Sequence, residues 1–425
     1  MTDVLILGGG LAGTSAALAL ADRGLRSTIV EARGRLGGRA FTRRLTGDVG
    51  PPVEFGGGWG TPTQTRLLAL TQRLGIGLTP RAPLQVRAHV RGGARHDHPC
   101  APSETAAHEA AMARWRDDAA RGDPAILAMT LSEWFLRRAI PPSAQLEITA
   151  WWSISGATDP SLGGVGQLMT AKTAHGFSPK IEELAHTITG GIQGVAEAAA
   201  RESGASVILL DPAERLIQDE GGVRLTLASG RVLTAKAAIV ALPVNALEQV
   251  RFEPSLPKPQ AQVRRRGHVG RVVKYLIRAR GIAPGTLVTG LAQGLRWFWA
   301  DHLRPDGSTL VVAFALAADA PEPSEAQARA AMAEAFPGAE FLSADWHDWL
   351  ADPFARGVWV GPRAEDDGLF HPDHWPPFGR IAFAGSDIGP GADQGWFEGA
   401  IASGQAAAGS VADDLAGSGR ERQRS

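Results

Sequence analysis

Apolar positions follow several rhythms along this chain. Near the amino end, Val4–Leu7 is an unbroken apolar run, followed by glycines and a stretch of small apolar residues from Ala12 to Arg23. A second short run spans Ser27 to Val30. Short continuous runs bounded by turn residues predict strands buried on both faces, and the small-residue stretch predicts a closely packed helix between them. This gives β-α-β within the first 30 residues. Residues 64–75 show helical spacing and stop at Gly75. Residues 103–121 and 130–138 read as helices, and Pro141-Pro142 opens another across "PPSAQLEITAWWSISG". From Ala205 to Pro243 the texture changes to short strands, with turn signals at Gly221-Gly222 and Ser229-Gly230, which predicts a β-meander. Longer strands are expected at 269–278 and 308–316, a helix at Glu325–Ala335, a buried strand at Gly379–Gly385 and a closing helix from Phe397.

Length turns this pattern into a domain count. A chain of 425 residues exceeds one ordinary core, so two domains are expected, interleaved if the ends of the chain meet. Hydrophobic content of 44%, charged content of 20% and a net charge of -1 fit a soluble protein without a nucleic-acid or anionic-membrane partner. The single cysteine, Cys100, excludes an intrachain disulfide and a multi-cysteine metal site, and a cytoplasmic location is expected. The apolar start lacks a basic leader region and is interrupted by glycines, so it is not read as a signal peptide. No membrane span or anchor is expected. Residues 416–425 read as a polar, disordered tail.

The first chemical signal is Gly8–Gly13, "GGGLAG", which fits G-x-G-x-x-G between a strand and a helix. The first glycine permits the turn, Gly10 lets a pyrophosphate approach the backbone beside Leu11 and Ala12, and Gly13 lets helix and strand pack closely. The helix start adds free N–H groups and a positive dipole end. Glu31 lies 18 residues beyond Gly13, at the end of the second strand, where a carboxylate can accept ribose hydroxyls. "EARGRLGGRAFT" then supplies Ala32, Arg33, a second glycine pair at Gly37-Gly38, and Arg39. Those extra cationic and backbone contacts suit an extended dinucleotide such as FAD better than a nicotinamide cofactor.

These segments resemble the flavin-containing amine oxidase family, which includes monoamine oxidases, polyamine oxidases and L-amino-acid oxidases. The resemblance rests on "EARGRLGGR", "VEFGGGWGTPTQTRLLALTQRLG", "GGIQGVAEAAA", "VILLDPAERL" and "GRIAFAGSDIGPGADQGWFEGAIASGQAAA". It is weaker over 77–186 and 244–356. It implies an FAD-binding segment at Gly57, Gly58 and Trp59, adenine contact at Ala213, and flavin contacts at Gly385, Ser386, Asp387, Trp396 and Phe397. Trp396 and Trp359 match the aromatic pair that flanks the substrate amine. Val358 stands where some relatives carry a cysteine joined covalently to the flavin, so non-covalent FAD is expected. Aligning Pro243 and the Phe-x-Pro ending of "ALPVNALEQVRFEPSLP" places Gln249 where many relatives keep a lysine near flavin N5, with Lys274 assigned to a different strand position.

The expected fold is α/β (α+β overall). A Rossmann-like, doubly wound FAD domain (1–76, 187–243, 357–415) is interleaved with a mixed sheet-and-helix substrate domain (77–186, 244–356). The resemblance implies hydride transfer from the carbon bearing an amine to the flavin, giving an imine, with dioxygen as acceptor. The substrate would be an amine or amino acid. Trp396, Trp359 and Gln249 would act at the reacting centre. The alternative is a dehydrogenase or desaturase with another acceptor, similar to protoporphyrinogen oxidases or carotenoid desaturases; a third reading is a protein that holds FAD without turnover. His175 and the "WFW" run at Trp297–Trp299 are weaker pocket candidates. Asp345, His347 and Asp348 are too closely strung on one segment to be read as a metal site, and no metal is expected.

Overall fold

The computed structural model describes residues 2–172 and 184–422. The expected β-α-β opening forms Val4–Leu7, Leu11–Ala21 and Ser27–Val30. These strands belong to a five-stranded sheet, ordered 206–208, 27–30, 4–7, 237–240, 381–383. Every pairing in it is parallel, with Val4 opposite both Ser27 and Ala237, and Ala238 opposite Ile381. The strands at 4–7, 27–30, 237–240 and 381–383 are buried along their whole length, because helices cover one face and a second apolar layer covers the other.

The closing helix, Phe397–Arg422, lies against Leu11–Ala21. Its small residues have a steric reason. A Cβ at Gly404 would stand 2.2 Å from the Ala12 carbonyl oxygen, so only glycine allows the backbones to approach this closely. The helix runs through residues 416–422, which the sequence pattern assigned to a disordered tail. Its first turn also serves another element. Buried Glu398 accepts hydrogen bonds from the backbone N–H groups of Arg66 and Leu67, capping the helix Thr65–Arg73 from the far end of the chain.

The expected meander is divided between two sheets. Ser206–Ile208 and Ala237–Val240 join the parallel sheet. Only 213–219, 222–227 and 232–235 form antiparallel hairpins, extended by a parallel strand at 251–253. Unbroken burial marks Ala237–Val240 as an interior strand, whereas Ser206–Ile208 is a largely exposed edge strand, a distinction that turn signals do not carry.

The third layer is a seven-stranded sheet ordered 340–346, 272–280, 309–316, 295–303, 286–292, 86–91, 94–96. Alternation along Val272–Arg280 fixes what each face does. Val273, Tyr275 and Ile277 pack toward the helix Glu325–Ala335. Val272 and Leu276 point the other way, into a tryptophan-rich core with helices Leu131–Arg137 and Pro142–Ser155. Lys274 has the same parity as Val272 and Leu276 and therefore also faces that second side.

Candidate functional site

A cavity of ≈ 270 Å³ runs from the glycine-rich turn to the tryptophan-rich core. At its first end, three glycines have three different steric situations. Gly8 has φ +105°, a conformation that favours glycine, and a Cβ there would meet Ala241 O at 2.6 Å. A Cβ on Gly13 would stand 2.0 Å from Gly8 O, which holds helix against strand. Gly10 is different: its absent Cβ would meet nothing nearer than Gly37 O at 3.8 Å, and the residue lines the cavity. The protein leaves this space open, as a bound pyrophosphate requires. Gly10 also bridges to Gly37 in parallel, and Gly37 N donates to Gly9 O at 2.8 Å, so the two glycine turns form one wall.

Glu31 is buried beside this wall. Its carboxylate accepts from Gly9 N at 2.8 Å and Arg33 N at 2.9 Å, leaving acceptor capacity toward the cavity that it lines. Arg33 bonds Asp352 at 2.6 Å and lies over the Phe354 ring at 5.5 Å. Ala213 lines the same end. The donors, acceptors and bare glycine backbone therefore suit an adenosine diphosphate moiety.

Arg39 connects the two ends. It donates to Val358 O at 2.5 Å and Ser386 Oγ at 3.0 Å, and pairs with Asp387 at 2.7 Å. Asp387 is fully buried and also accepts from Val244 N. Burial works to raise its carboxyl, but Arg39, His268 and the Val244 N–H together outweigh that and hold it below the ordinary value. Asp387 and Gly13 are the expected site residues that do not line the cavity. Asp387 supports Arg39 from behind, and the wall itself is Gly385 and Ser386.

At the far end, Trp359, Trp396, Trp59 and Phe314 meet the cavity, with Gly57, Gly58 and Phe397 beside them. Phe314 packs edge-on to Trp359 at 6.2 Å, and Trp359 Nε1 donates to Ser155 O at 3.2 Å. Gly395 has φ +79°, and its missing Cβ would lie 3.6 Å from Trp359 Cβ. This turn lets the chain place Trp396 next to Trp359 before the closing helix begins. Phe397 stands against Gly57, where a Cβ would meet its ring at 2.6 Å.

The cation at this aromatic end is Lys274. It lines the cavity, donates to Glu54 O at 2.6 Å and Gly56 O at 2.8 Å, and lies 5.5 Å from the Trp59 ring centre. Burial pushes its ammonium down to about 8, partly offset by Glu54 and Asp301. Burial likewise raises the carboxyl of Glu54, which accepts from Ile192 N and Thr42.

Gln249, expected beside the reacting centre, lines the same cavity. It ends a short helical turn, Val244–Gln249, and its amide donates to the Pro353 carbonyl in the loop that holds Arg33. The match through Pro243 and the Phe-x-Pro ending anchored that turn, whereas the aromatic end is served by the strand Val272–Arg280. A lone lysine within "RVVKYLI" is a readable signal, since a buried strand rarely includes a charge without using it. Phe314, Ile154 and Leu184 also line the cavity and have no sequence signal beyond ordinary apolar patterning.

Other candidates resolve into structure. Trp297 and Trp299 face the tryptophan-rich core, while Phe298 packs on the opposite side against Phe336. Asp345 accepts from Thr46, and His347 pairs with Asp352 at 2.9 Å. His175 lies outside the described residues.

A parallel sheet with a bare glycine turn and a buried acid, joined by one cavity to an aromatic slot with a buried lysine, is the arrangement of a flavin-dependent oxidoreductase. The family model described as flavin containing amine oxidoreductase matches residues 11–412, and the chain belongs to that family. It is similar to (S)-6-hydroxynicotine oxidase of Paenarthrobacter nicotinovorans, 29% identical over 97% of this chain and 99% of that protein. It is also similar to pseudooxynicotine dehydrogenase of a Pseudomonas species, 27% identical over 98% of this chain and 87% of that protein. The fold matches that of wild-type putrescine oxidase bound to putrescine, with TM-score 0.84 and 23% identity over 96% of this chain and 98% of the other. The chain is accordingly an FAD-dependent oxidoreductase of the amine oxidase type. Among the described residues, no helix is long and apolar enough to cross a membrane.

Proposed function

We propose that this chain holds FAD non-covalently and oxidises an amine at the carbon bearing nitrogen, releasing an imine and passing electrons to dioxygen. One observation carries the reading: a single cavity joins the Gly10 and Glu31 cradle to the Trp59, Trp359 and Trp396 slot, with Lys274 in its wall. When bound, the flavin supplies the hydride acceptor and the electron relay. The protein supplies placement and dryness. Gly10, Gly37 and Gly38 seat the pyrophosphate, and Glu31 takes the ribose hydroxyls. Trp359 and Trp396 orient the neutral amine and exclude water. Lys274, held by two carbonyls, places a positive charge at the reacting end, where negative charge develops on the way to dioxygen. No side-chain nucleophile is needed.

Val358 has no thiol, so acid precipitation should release the flavin to the supernatant. Anaerobic mixing with amines should bleach the flavin, and admitting air should restore it. Flavin retained in the precipitate would contradict non-covalent binding. Several similar proteins have dehydrogenase names, among them nicotine dehydrogenase of Pseudomonas putida, which keeps another acceptor as the second reading. Slow recovery of colour in air, with fast recovery on an added quinone or dye, would select it.

A further inference from the structure

The aromatic end of the cavity has a charge pattern as well as a shape, and the pattern selects among amines. Resting on the amine-oxidation reading above, we propose that the substrate is a monoamine with a flat aromatic body and a single basic nitrogen. Trp59 is the specificity-determining residue, held in place by Arg81.

Two cations approach the Trp59 ring: Lys274 Nζ at 5.5 Å and the Arg81 guanidinium carbon at 4.3 Å. Arg81 is buried. Its Nε bonds Asp301 at 2.8 Å, its Nη1 bonds Leu184 O, and its Nη2 is buried without a partner. It also lies 5.0 Å from the Trp299 ring centre. Asp301 is committed in turn to Arg81, Trp299 Nε1 and His302. The guanidinium is therefore packed against Trp59 and tied on other sides, which restricts the indole's rotation. It is not on the cavity surface, so it offers no docking point for a substrate carboxylate.

The cavity side of this wall is aromatic and apolar: Trp59, Phe314, Trp359, Trp396, Ile154 and Val272. The ring pairs among them are tilted or edge-on, Trp59 to Phe314 at 65° and Phe314 to Trp359 at 76°. That leaves ring faces to receive another ring, the arrangement aromatic pairs favour. Among the described lining residues the carboxylate is Glu31, at the opposite end. A second ammonium on the substrate would therefore meet Lys274 with no carboxylate among the described lining residues at that end. An α-carboxylate would have to leave water for this aromatic wall, where Lys274 already gives two of its three donors to Glu54 O and Gly56 O, so it would be only partly paired.

The test uses the flavin-loaded enzyme, mixed anaerobically in a stopped-flow instrument. The probes are benzylamine, pentylamine, 1,4-diaminobutane and L-phenylalanine, compared by the second-order rate of bleaching. Benzylamine should exceed pentylamine about tenfold, and should exceed the diamine and the amino acid by on the order of 100-fold. A diamine or amino acid that bleaches as fast as benzylamine overturns the proposal while leaving amine oxidation standing. If dithionite reduces the flavin but none of the amines does, the amine-oxidation reading fails and the proposal with it. A variant series tests the named residue. Trp59→Leu, with FAD still bound, should bring the benzylamine-to-pentylamine ratio close to one, and Trp59→Phe should restore most of it. A ratio unchanged in Trp59→Leu overturns the role of Trp59.

Discussion

Replacing Lys274 by methionine separates electrostatics from packing at the reacting end. The side chain keeps its length but loses the ammonium and its two hydrogen bonds to Glu54 O and Gly56 O. Two effects on stability oppose each other. The two carbonyls lose their donor, which costs about 1–3 kcal/mol each if no water replaces it. Burial displaces the lysine from 10.5 to about 8, and that amounts to about 3 kcal/mol against the charged form, a penalty methionine does not carry. The variant should therefore melt within a few degrees of the parent. Chemistry should change more. A unit charge about 5 Å from developing negative charge, at an effective dielectric of about 20, contributes about 3 kcal/mol, or on the order of 100-fold in rate. Stopped-flow mixing of the pre-reduced enzyme with oxygenated buffer reads this directly. Lys274→Met should reoxidise on the order of 100-fold more slowly while retaining FAD. The pH dependence has a definite sign. The lysine is charged below about 8 and neutral above it, so reoxidation of the parent should fall as pH rises through that value. The variant should show no such step. For stability the sign is opposite. Between pH about 8 and 10.5 the folded state binds fewer protons at this group than the unfolded state, so its contribution to stability rises with pH. An unchanged reoxidation rate in a flavin-loaded Lys274→Met protein would refute the role assigned to the lysine.

Glu31→Ala should weaken FAD retention by about 1.5–3 kcal/mol, read as flavin loss on dilution, because one charge-assisted acceptor to the ribose is gone. Gly10→Ala should fold normally, since nothing in the protein lies within 3.8 Å of the new methyl, yet purify with little flavin. Gly13→Ala should instead lower thermal stability, because its methyl would meet Gly8 O at 2.0 Å. Trp396→Ala should slow anaerobic flavin reduction on the order of 10–100-fold with FAD still bound, through lost orientation.

The glycine-rich end of the cavity was legible in the sequence because its elements are local. Gly8, Gly10, Gly13 and Glu31 lie within one β-α-β unit, and their spacing alone determines which faces meet. Trp396 and Trp359 could be placed through motif resemblance, although 37 residues separate them. Lys274 was visible as a charge in a buried strand, but which side chain reaches the aromatic slot depends on the parity of a strand whose sheet partners are distant in sequence. Gln249 lines the same cavity but turns its amide to the Pro353 carbonyl, because flanking prolines fix a turn and not what the turn faces. Arg81 and Trp59 come from different segments and meet only after Arg81 pairs with Asp301, 220 residues away. Of the seven-stranded sheet, the strands at 86–91, 94–96, 286–292, 295–303 and 340–346 were also missed. Their patterns are short or mixed, and antiparallel neighbours rather than local propensity decide them.

The central claim is that one cavity couples bound flavin to amine oxidation. The direct measurement is an anaerobic titration of the FAD-loaded protein with benzylamine, following flavin absorbance and the aldehyde formed when the imine hydrolyses. The account predicts full bleaching, with one aldehyde released per flavin reduced. A bound flavin that stays oxidised in excess amine, yet is bleached by dithionite, would contradict it.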